Sequence, residues 1–338
     1  MRRILAVAAV TTVALAAGCS SSGSPSSGGS GAVTLRLGFL ANITHAPALV
    51  GVHNGIFAKA LGKNVTLKTQ IFDTGTDETT ALLANQLDAA YVGPNPAINA
   101  WQKSSGKAIK IISGVATGGA SVVVKKGITS PAQLKGKTIA TPSLGNTQDV
   151  AVRYWLKQHG LTTTSTGGGD VSIKPTKPNS DAVLEFQSGQ IEGGSEPSPY
   201  DVEMVQDGGK VLLTEPGATT DLMVTQSFLS AHPAIVADLL KANEQALNYI
   251  KSDPTAAETA ADAEYASYTG KSIKPALVAA SFKQIVFTDN PDEASFNTDA
   301  SQAVSLGLLK EPVALGGLFD LGPLNTLLTA AGQPAIGS

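Results

Sequence analysis

Short apolar runs of four to eight residues recur along this chain, separated by stretches with helical periodicity. They fall at 33–39, 65–72, 89–93, 109–115, 121–125, 138–141, 171–174 and 211–214. This alternation restricts the fold more than any other feature. A strand, helix, strand sequence closes a crossover that lays its helix on a parallel sheet. Sheets built that way are covered on both faces. The run at 33–39 alternates apolar and polar positions, as a strand does. Pro47 suits a first helical turn, and Leu49, Val52, Ile56 and Phe57 follow at helical spacing. The segment 76–87 reads as a helix with Asp77 and Glu78 in its first turn, where the helix dipole favours acids. Beyond His232 the chain reads as mostly helical, interrupted at Pro254, Gly270 and Pro291. Trp101 and Trp155 fall inside helices and read as packing residues.

One internal echo points to two similar halves. Residues 85–90 (NQLDAA) lead to Pro94, and residues 189–194 (GQIEGG) lead to Pro197. Each reads as a helix end, an acidic turn, a short strand and a Pro-started segment. Any α/β unit can reuse such turns, so convergence is the alternative.

The first 32 residues read as an address rather than as fold. Arg2 and Arg3 precede a small-residue apolar stretch at 4–17. It is shorter than the ~20 residues a membrane span needs and fits a secretory signal, 1–18. Leu15-Ala16-Ala17-Gly18-Cys19 resembles a bacterial lipobox, in which the cysteine is lipidated. An ordinary cleaved signal with a chance cysteine is the alternative. Residues 20–32 (SSSGSPSSGGSGA) are too polar to order themselves and would span roughly 20 Å as a flexible coil. A tether over 19–32, between a lipid anchor and a folded body, is the expectation. Residues 331–338 are expected to be a tail.

Composition excludes several function classes. Cys19 is the sole cysteine, so no internal disulfide framework or Cys-based metal site can form within one chain. The histidines at 45, 53, 159 and 232 lack metal-ligand spacing, and no metal or cofactor is expected. Charged residues make up 15%, against about 25% in ordinary domains. The net charge is −3, which gives no basic footprint for nucleic acid.

In open α/β sheets, ligands sit beyond the carboxyl ends of strands, at helix N-termini. The loops so placed are 40–46, 73–76, 93–95, 143–148 and 196–198. They carry neutral donors: Asn42, Thr44, His45, Thr74, Thr76, Asn95, Asn146, Thr147 and Gln148. None holds Lys or Arg, and the chain has only four arginines, at 2, 3, 36 and 153. A small anion held by backbone N–H groups fits better than a phosphate ester, which usually recruits Arg. Each residue also has a plainer reading. His45 can cap or hydrogen-bond locally, and Asn42, Asn146 and Thr76 are common turn and cap residues. Asp149 reads as a first-turn acid. Glu196, beside Pro197, can face a cleft and orient a cationic part of a ligand, or bond internally.

With these segments in view, residues 33–330 resemble the solute-binding proteins of ABC importers for sulfonates, taurine and nitrate. The resemblance rests on Thr44-His45-Ala46-Pro47-Ala48-Leu49 and Asn54-Gly55-Ile56-Phe57. It continues in Leu87-Asp88-Ala89-Ala90-Tyr91-Val92-Gly93-Pro94 and in Leu134-Lys135-Gly136-Lys137-Thr138-Ile139-Ala140-Thr141-Pro142. Leu144-Gly145-Asn146-Thr147-Gln148-Asp149 and Glu196-Pro197 complete it. The chain departs from the family where Ser198 replaces an aromatic, with Tyr200 nearby, and where Glu192-Gly193 replaces Asp-Ala.

The resemblance implies a two-lobed α/β fold of the type II periplasmic-binding class, with two mixed, mainly parallel sheets flanked by helices and joined by a two-segment hinge. Lobe one would comprise 33–119 and 223–330, and lobe two 120–222. The crossings would lie near Gly119-Ala120-Ser121 and Thr220-Asp221-Leu222. A small organic anion, an aliphatic sulfonate or taurine-like, would be captured by hinge closure. The ligand shell would draw on Asn42, Thr44, His45, Ala46, Thr74, Thr76, Asn95, Gly119, Asn146, Thr147, Gln148 and Glu196. The partners would be an ABC permease with its ATPase, reached by a monomer lipid-anchored through Cys19 outside the cell membrane.

Two rival classes follow from the residues. An enzyme on this fold would need catalytic groups, and neither a GxSxG elbow nor a cofactor-binding glycine fingerprint is present. Binding proteins for nitrate or for a pyrimidine or thiamine precursor share the fold. A heterocycle calls for stacking aromatics, and aromatics are 5% of the chain.

Overall fold

The eight expected strands are all present in the computed structural model, which describes residues 32–311 and 313–337. Chain order begins with β1 (Val33–Leu40), a 3-10 turn (Ile43–His45), α1 (Ala46–His53), α2 (Ile56–Leu61), β2 (Val65–Phe72) and α3 (Gly75–Leu83). β3 (Ala89–Val92), α4 (Pro94–Lys103) and β4 (Ile109–Gly118) follow. A second set comprises β5 (Ala120–Val124), β6 (Thr138–Thr141), α5 (Thr147–Gln158), β7 (Ser172–Pro175), α6 (Ser180–Ser188), β8 (Gly193–Pro197), α7 (Tyr200–Gln206) and β9 (Lys210–Thr214). The chain returns as β10 (Ala218–Thr225), then α8 (Gln226–Ala231), α9 (Pro233–Ser252), α10 (Pro254–Thr269) and α11 (Pro275–Gln284). β11 (Ile285–Phe287), α12 (Glu293–Ser305) and α13 (Gly322–Ala330) complete it. The signal, Cys19 and all of the tether except Ala32 lie outside the described residues.

Two sheets result. The first has strand order β11-β4-β10-β3-β1-β2 and the second β7-β6-β8-β5-β9. They are mixed but not mainly parallel: four pairings are parallel and five antiparallel. The antiparallel pairings all involve β5, β10 or β11, strands outside the βαβ crossovers. The crossing expected at 220–222 lies inside β10, which pairs with β4 from Ala218 and with β3 from Asp221. Residues 218–222 therefore belong to the first sheet, and the chain changes sheets at 215–217. The sequence ATTDLMVT conceals this strand because Asp221 interrupts it. The other passage occupies Gly118 and Gly119, both at positive φ (70° and 73°). Glycine visits that region without the steric cost other residues incur.

Side-chain alternation explains the layers. Tyr91, Leu222 and Val224 enter one core with β1, α1, α2, α9 and α10, while Ala90, Val92 and Met223 enter another with α3, α4 and α12. In the second sheet Val122, Val124 and Ile139 face one core, and Val123 and Ala140 the other. Period-two alternation with apolar residues on both faces buries each sheet between helices. The helix begun at Pro47 breaks before Phe57, because Gly55 adopts φ +64° between α1 and α2.

The internal echo has a physical basis. Asp88 N–H donates to Arg36 O at 2.9 Å, and Arg36 N–H donates back to Asp88 Oδ2 at 2.8 Å. Glu192 N–H donates to Thr138 O at 3.0 Å, and Thr138 N–H donates to Glu192 Oε2 at 3.0 Å. Each acid thus locks the entry of a short strand onto its parallel neighbour, β3 onto β1 and β8 onto β6. The longer Glu192 does the work of the Asp expected there.

Candidate ligand-binding site

Five helices begin at one cavity of ≈ 30 Å³. The N-cap residues of α1 (His45), α3 (Thr74), α4 (Gly93), α5 (Asn146) and α6 (Asn179) all line it. A helix N-terminus carries about half a positive charge and N–H groups with no intrahelical acceptor. Lys and Arg are absent from the described lining, and Asp73 is its one carboxylate. His45 adds no charge, since burial pushes its pKa down to about 3. Its Nδ1 accepts the Leu40 N–H at 3.2 Å, which leaves the imidazole proton on Nε2. The positive potential here therefore comes from backbone dipoles.

The polar side chains hold these helix starts in place. Asn42 Oδ1 accepts the Thr44 N–H at 3.1 Å and the Thr44 hydroxyl at 2.7 Å. Thr220 Oγ1 donates to Thr44 Oγ1 at 3.0 Å, tying β10 to this turn. Thr74 Oγ1 accepts the Asp77 N–H at 3.2 Å, and Asn146 Oδ1 accepts the Asp149 N–H at 2.9 Å. The plain reading of Asn42 and Asn146 as turn and cap residues is correct, and the same residues wall the cavity. Asp149 is more than a first-turn acid. It accepts Arg153 Nε at 2.8 Å and the Gly145 N–H at 2.7 Å, both acid and arginine being fully enclosed.

Of the residues expected at the site, Asn42, Thr44, His45, Thr74, Asn146, Thr147 and Gln148 line this cavity, whereas Ala46, Thr76, Asn95, Gly119 and Glu196 do not. Ala46 is buried in the first core. Thr76 Oγ1 lies 3.1 Å from Ser143 Oγ, bridging elements of the two sheets. Asn95 is buried, and neither atom of its amide forms a hydrogen bond among the described residues. Gly119 serves the crossing, where a Cβ would stand 2.3 Å from Ile285 Cγ1. Glu196 points inward: its Oε1 meets Thr176 Oγ1 at 3.5 Å and its Oε2 has no hydrogen-bond partner among the described residues. Burial, with the charges of Asp201 and Glu215 nearby, holds its carboxyl well above the ordinary range.

Among the polar residues of the lining, sequence reading missed Asn179 and Thr219. Asn179 follows β7, so the strand-end rule that nominated the other loops could have found it. Thr219 lies on the concealed strand β10 and carried no such signal.

A second chamber of ≈ 320 Å³ adjoins the cavity, sharing Leu40, Asn42, Asp73 and Asn179 with it. Tyr200, Tyr265 and Tyr268 stand in its wall. The low aromatic content argued against a stacking surface at the cleft, yet three of the six tyrosines gather here. Tyr200 lies two residues beyond Ser198, and Ser198 Oγ donates to Asp201 Oδ1 at 2.7 Å.

Comparisons with known proteins agree with this architecture. The sequence profile of the NMT1-like family matches residues 28–264. The taurine-binding periplasmic protein of Escherichia coli (strain K12) is 28% identical over 197 residues, 56% of this chain and 58% of that protein. A Brucella abortus (strain 2308) protein, named provisionally as a binding protein, is 30% identical over 163 residues, 47% of this chain and 46% of that one. The match thus spans about half the length of these curated relatives. The alkanesulfonate-binding protein SsuA from Xanthomonas axonopodis pv. citri, bound to MOPS, superposes with a TM-score of 0.72 at 16% identity, covering 86% of this chain and 99% of that one. The periplasmic nitrate-binding protein NrtA from Synechocystis PCC 6803 gives 0.74 at 15% identity, covering 88% and 89%. The fold is therefore that of the periplasmic binding proteins, and with a profile match over most of its length the chain belongs to the NMT1-like family.

Proposed function

We propose that this protein is the extracytoplasmic solute-binding component of an ABC importer, capturing a small organic anion of the aliphatic sulfonate or taurine-like class. The observation that carries this reading is the convergence of five helix N-termini on one cavity with no lysine or arginine among its described lining. Each helix start favours an anion by about 0.3–1 kcal/mol, more when partly buried. The cavity is small, about twice what one water requires, so it suits an anionic head. Asp73 favours a zwitterion within the class, because its carboxylate gives an ammonium group a partner that nitrate cannot use.

Lobe one is assigned to 33–119 with 218–330, and lobe two to 120–214. The hinge is the pair of passages at 118–119 and 215–217. Contacts between the two sets of elements, such as Tyr200 Oη–H to Ala41 O at 3.0 Å and Ile43 N–H to Ser198 O at 2.9 Å, are those that closure would make. The closed form would then be presented to a permease and its ATPase. The N-terminal segment is assigned as a lipoprotein signal with Cys19 as the attachment point.

Calorimetric titration with taurine, alkanesulfonates, sulfate, nitrate and pyrimidines tests the ligand class. Saturable binding of a sulfonate is expected, and binding only of a cation or a heterocycle would overturn the reading. Cys19→Ser should release the protein from membranes, and a variant that stays membrane-bound would refute the anchor.

A further inference from the structure

Resting on the proposed anion site, we infer that the sulfonate it takes carries a flat aromatic ring on its tail, seated in the tyrosine-walled chamber while the anionic head occupies the five-helix cavity. The two spaces are contiguous through Leu40, Asn42, Asp73 and Asn179. The cavity of ≈ 30 Å³ holds a head and little else, whereas the chamber of ≈ 320 Å³ has room for a body. An apolar cavity of about 150 Å³ accepts benzene, so a substituted single ring fits.

The chamber's aromatic wall is held in place by its own hydroxyls. Tyr200 Oη–H donates to Ala41 O at 3.0 Å, and Tyr268 Oη lies 2.9 Å from Thr69 Oγ1. Tyr268 also packs edge-to-face on Phe39, with ring centroids 5.7 Å apart. Tyr200 and Tyr265 are buried, whereas Tyr268 keeps 37% of its surface exposed with its hydroxyl engaged, so its ring is the one a ligand can cover, and aromatic pairs add to simple area burial. Lys271 stands in the same wall as Asp73, so this side offers an entering anion a cation. The other space that touches the cavity region, a groove of ≈ 580 Å³ sharing Thr147, is walled by Glu215, Asp292 and Asp299 with no Lys or Arg among the described lining. It offers an anion no cationic partner, whereas the tyrosine chamber holds Lys271 and shares four residues with the cavity, which makes the chamber the place for the tail.

The test is calorimetry with methanesulfonate, benzenesulfonate and 3-phenylpropane-1-sulfonate on wild type, Tyr268→Ala and Tyr268→Phe. At least one ring-bearing sulfonate should bind ~10-fold tighter than methanesulfonate. Tyr268→Ala should erase most of that advantage and leave methanesulfonate within twofold. Tyr268→Phe, which keeps the ring, should retain it. Methanesulfonate binding as tightly as both ring-bearing ligands, or Tyr268→Ala weakening all three alike, would overturn the tail assignment while the anion site stands. Binding of no sulfonate at all would overturn the anion reading itself.

Discussion

Glu215 sits at the passage from β9 to β10 with 6% of its surface exposed. Its Oε1 accepts the Ser195 hydroxyl at 2.8 Å, and its Oε2 has no hydrogen-bond partner among the described residues. Burial first, and the nearby charge of Asp201 with it, pushes its pKa from 4.5 up to about 7. The native state therefore holds this proton more tightly than the unfolded chain does. Stability is full below pH 4.5, falls as pH rises to about 7 and is flat above it. At 1.36 kcal/mol per pKa unit the loss is about 3 kcal/mol. Glu215→Gln removes the titrating group and keeps an oxygen for Ser195. Urea unfolding of wild type and variant at pH 4.5 and pH 8.5 measures the effect. The two proteins should be nearly equal at the lower pH, and the variant should be more stable by about 3 kcal/mol at the higher. In melting experiments that corresponds to roughly 5 °C for a chain of this size. Asp299, whose pKa burial raises to about 8 with help from Glu215, is present in both proteins, so the difference between them reports residue 215 together with its coupling to Asp299. A difference that is the same at both pH values would refute the reasoning.

Asn146→Ala should destabilise the fold by about 1 kcal/mol, because the Asp149 N–H loses its cap. It should also weaken sulfonate binding several-fold, as read by denaturation and calorimetry on the same sample. Gly119→Ala should cost about 1–2 kcal/mol for positive φ and about 1–3 more for crowding against Ile285, seen as a lowered melting temperature. Arg153→Met leaves Asp149 buried without its cation and should cost about 3–5 kcal/mol near neutral pH. Burial already holds the Asp149 carboxyl above its ordinary range despite Arg153, so the loss should shrink as pH falls and the acid protonates. Asp149→Asn in the Arg153→Met background should recover much of the loss.

Local pattern determined a large part of this protein. The alternation of short apolar runs with helical stretches located the eight expected strands, because period-two burial and helical spacing are written in neighbouring residues. Pro47, Pro254 and Gly270 mark helix ends in the structure, since a fixed φ or a missing Cβ acts within one turn. The strand-end loops led to seven of the cavity-lining residues because helix starts follow strands at short range. Tertiary structure decided the rest. Strand β10 reveals itself only through its antiparallel partners β3 and β4, and with it came Thr219 and the passage between the sheets at 215–217. The fate of Glu196, turned inward toward Thr176, depended on which way one side chain faces, which no spacing encodes. The five helix starts lie at 45, 74, 93, 146 and 179, and the tyrosines at 200, 265 and 268. Sequence could name each of these positions, but only the packing of two sheets could bring them to one place, because that convergence is made by long-range burial.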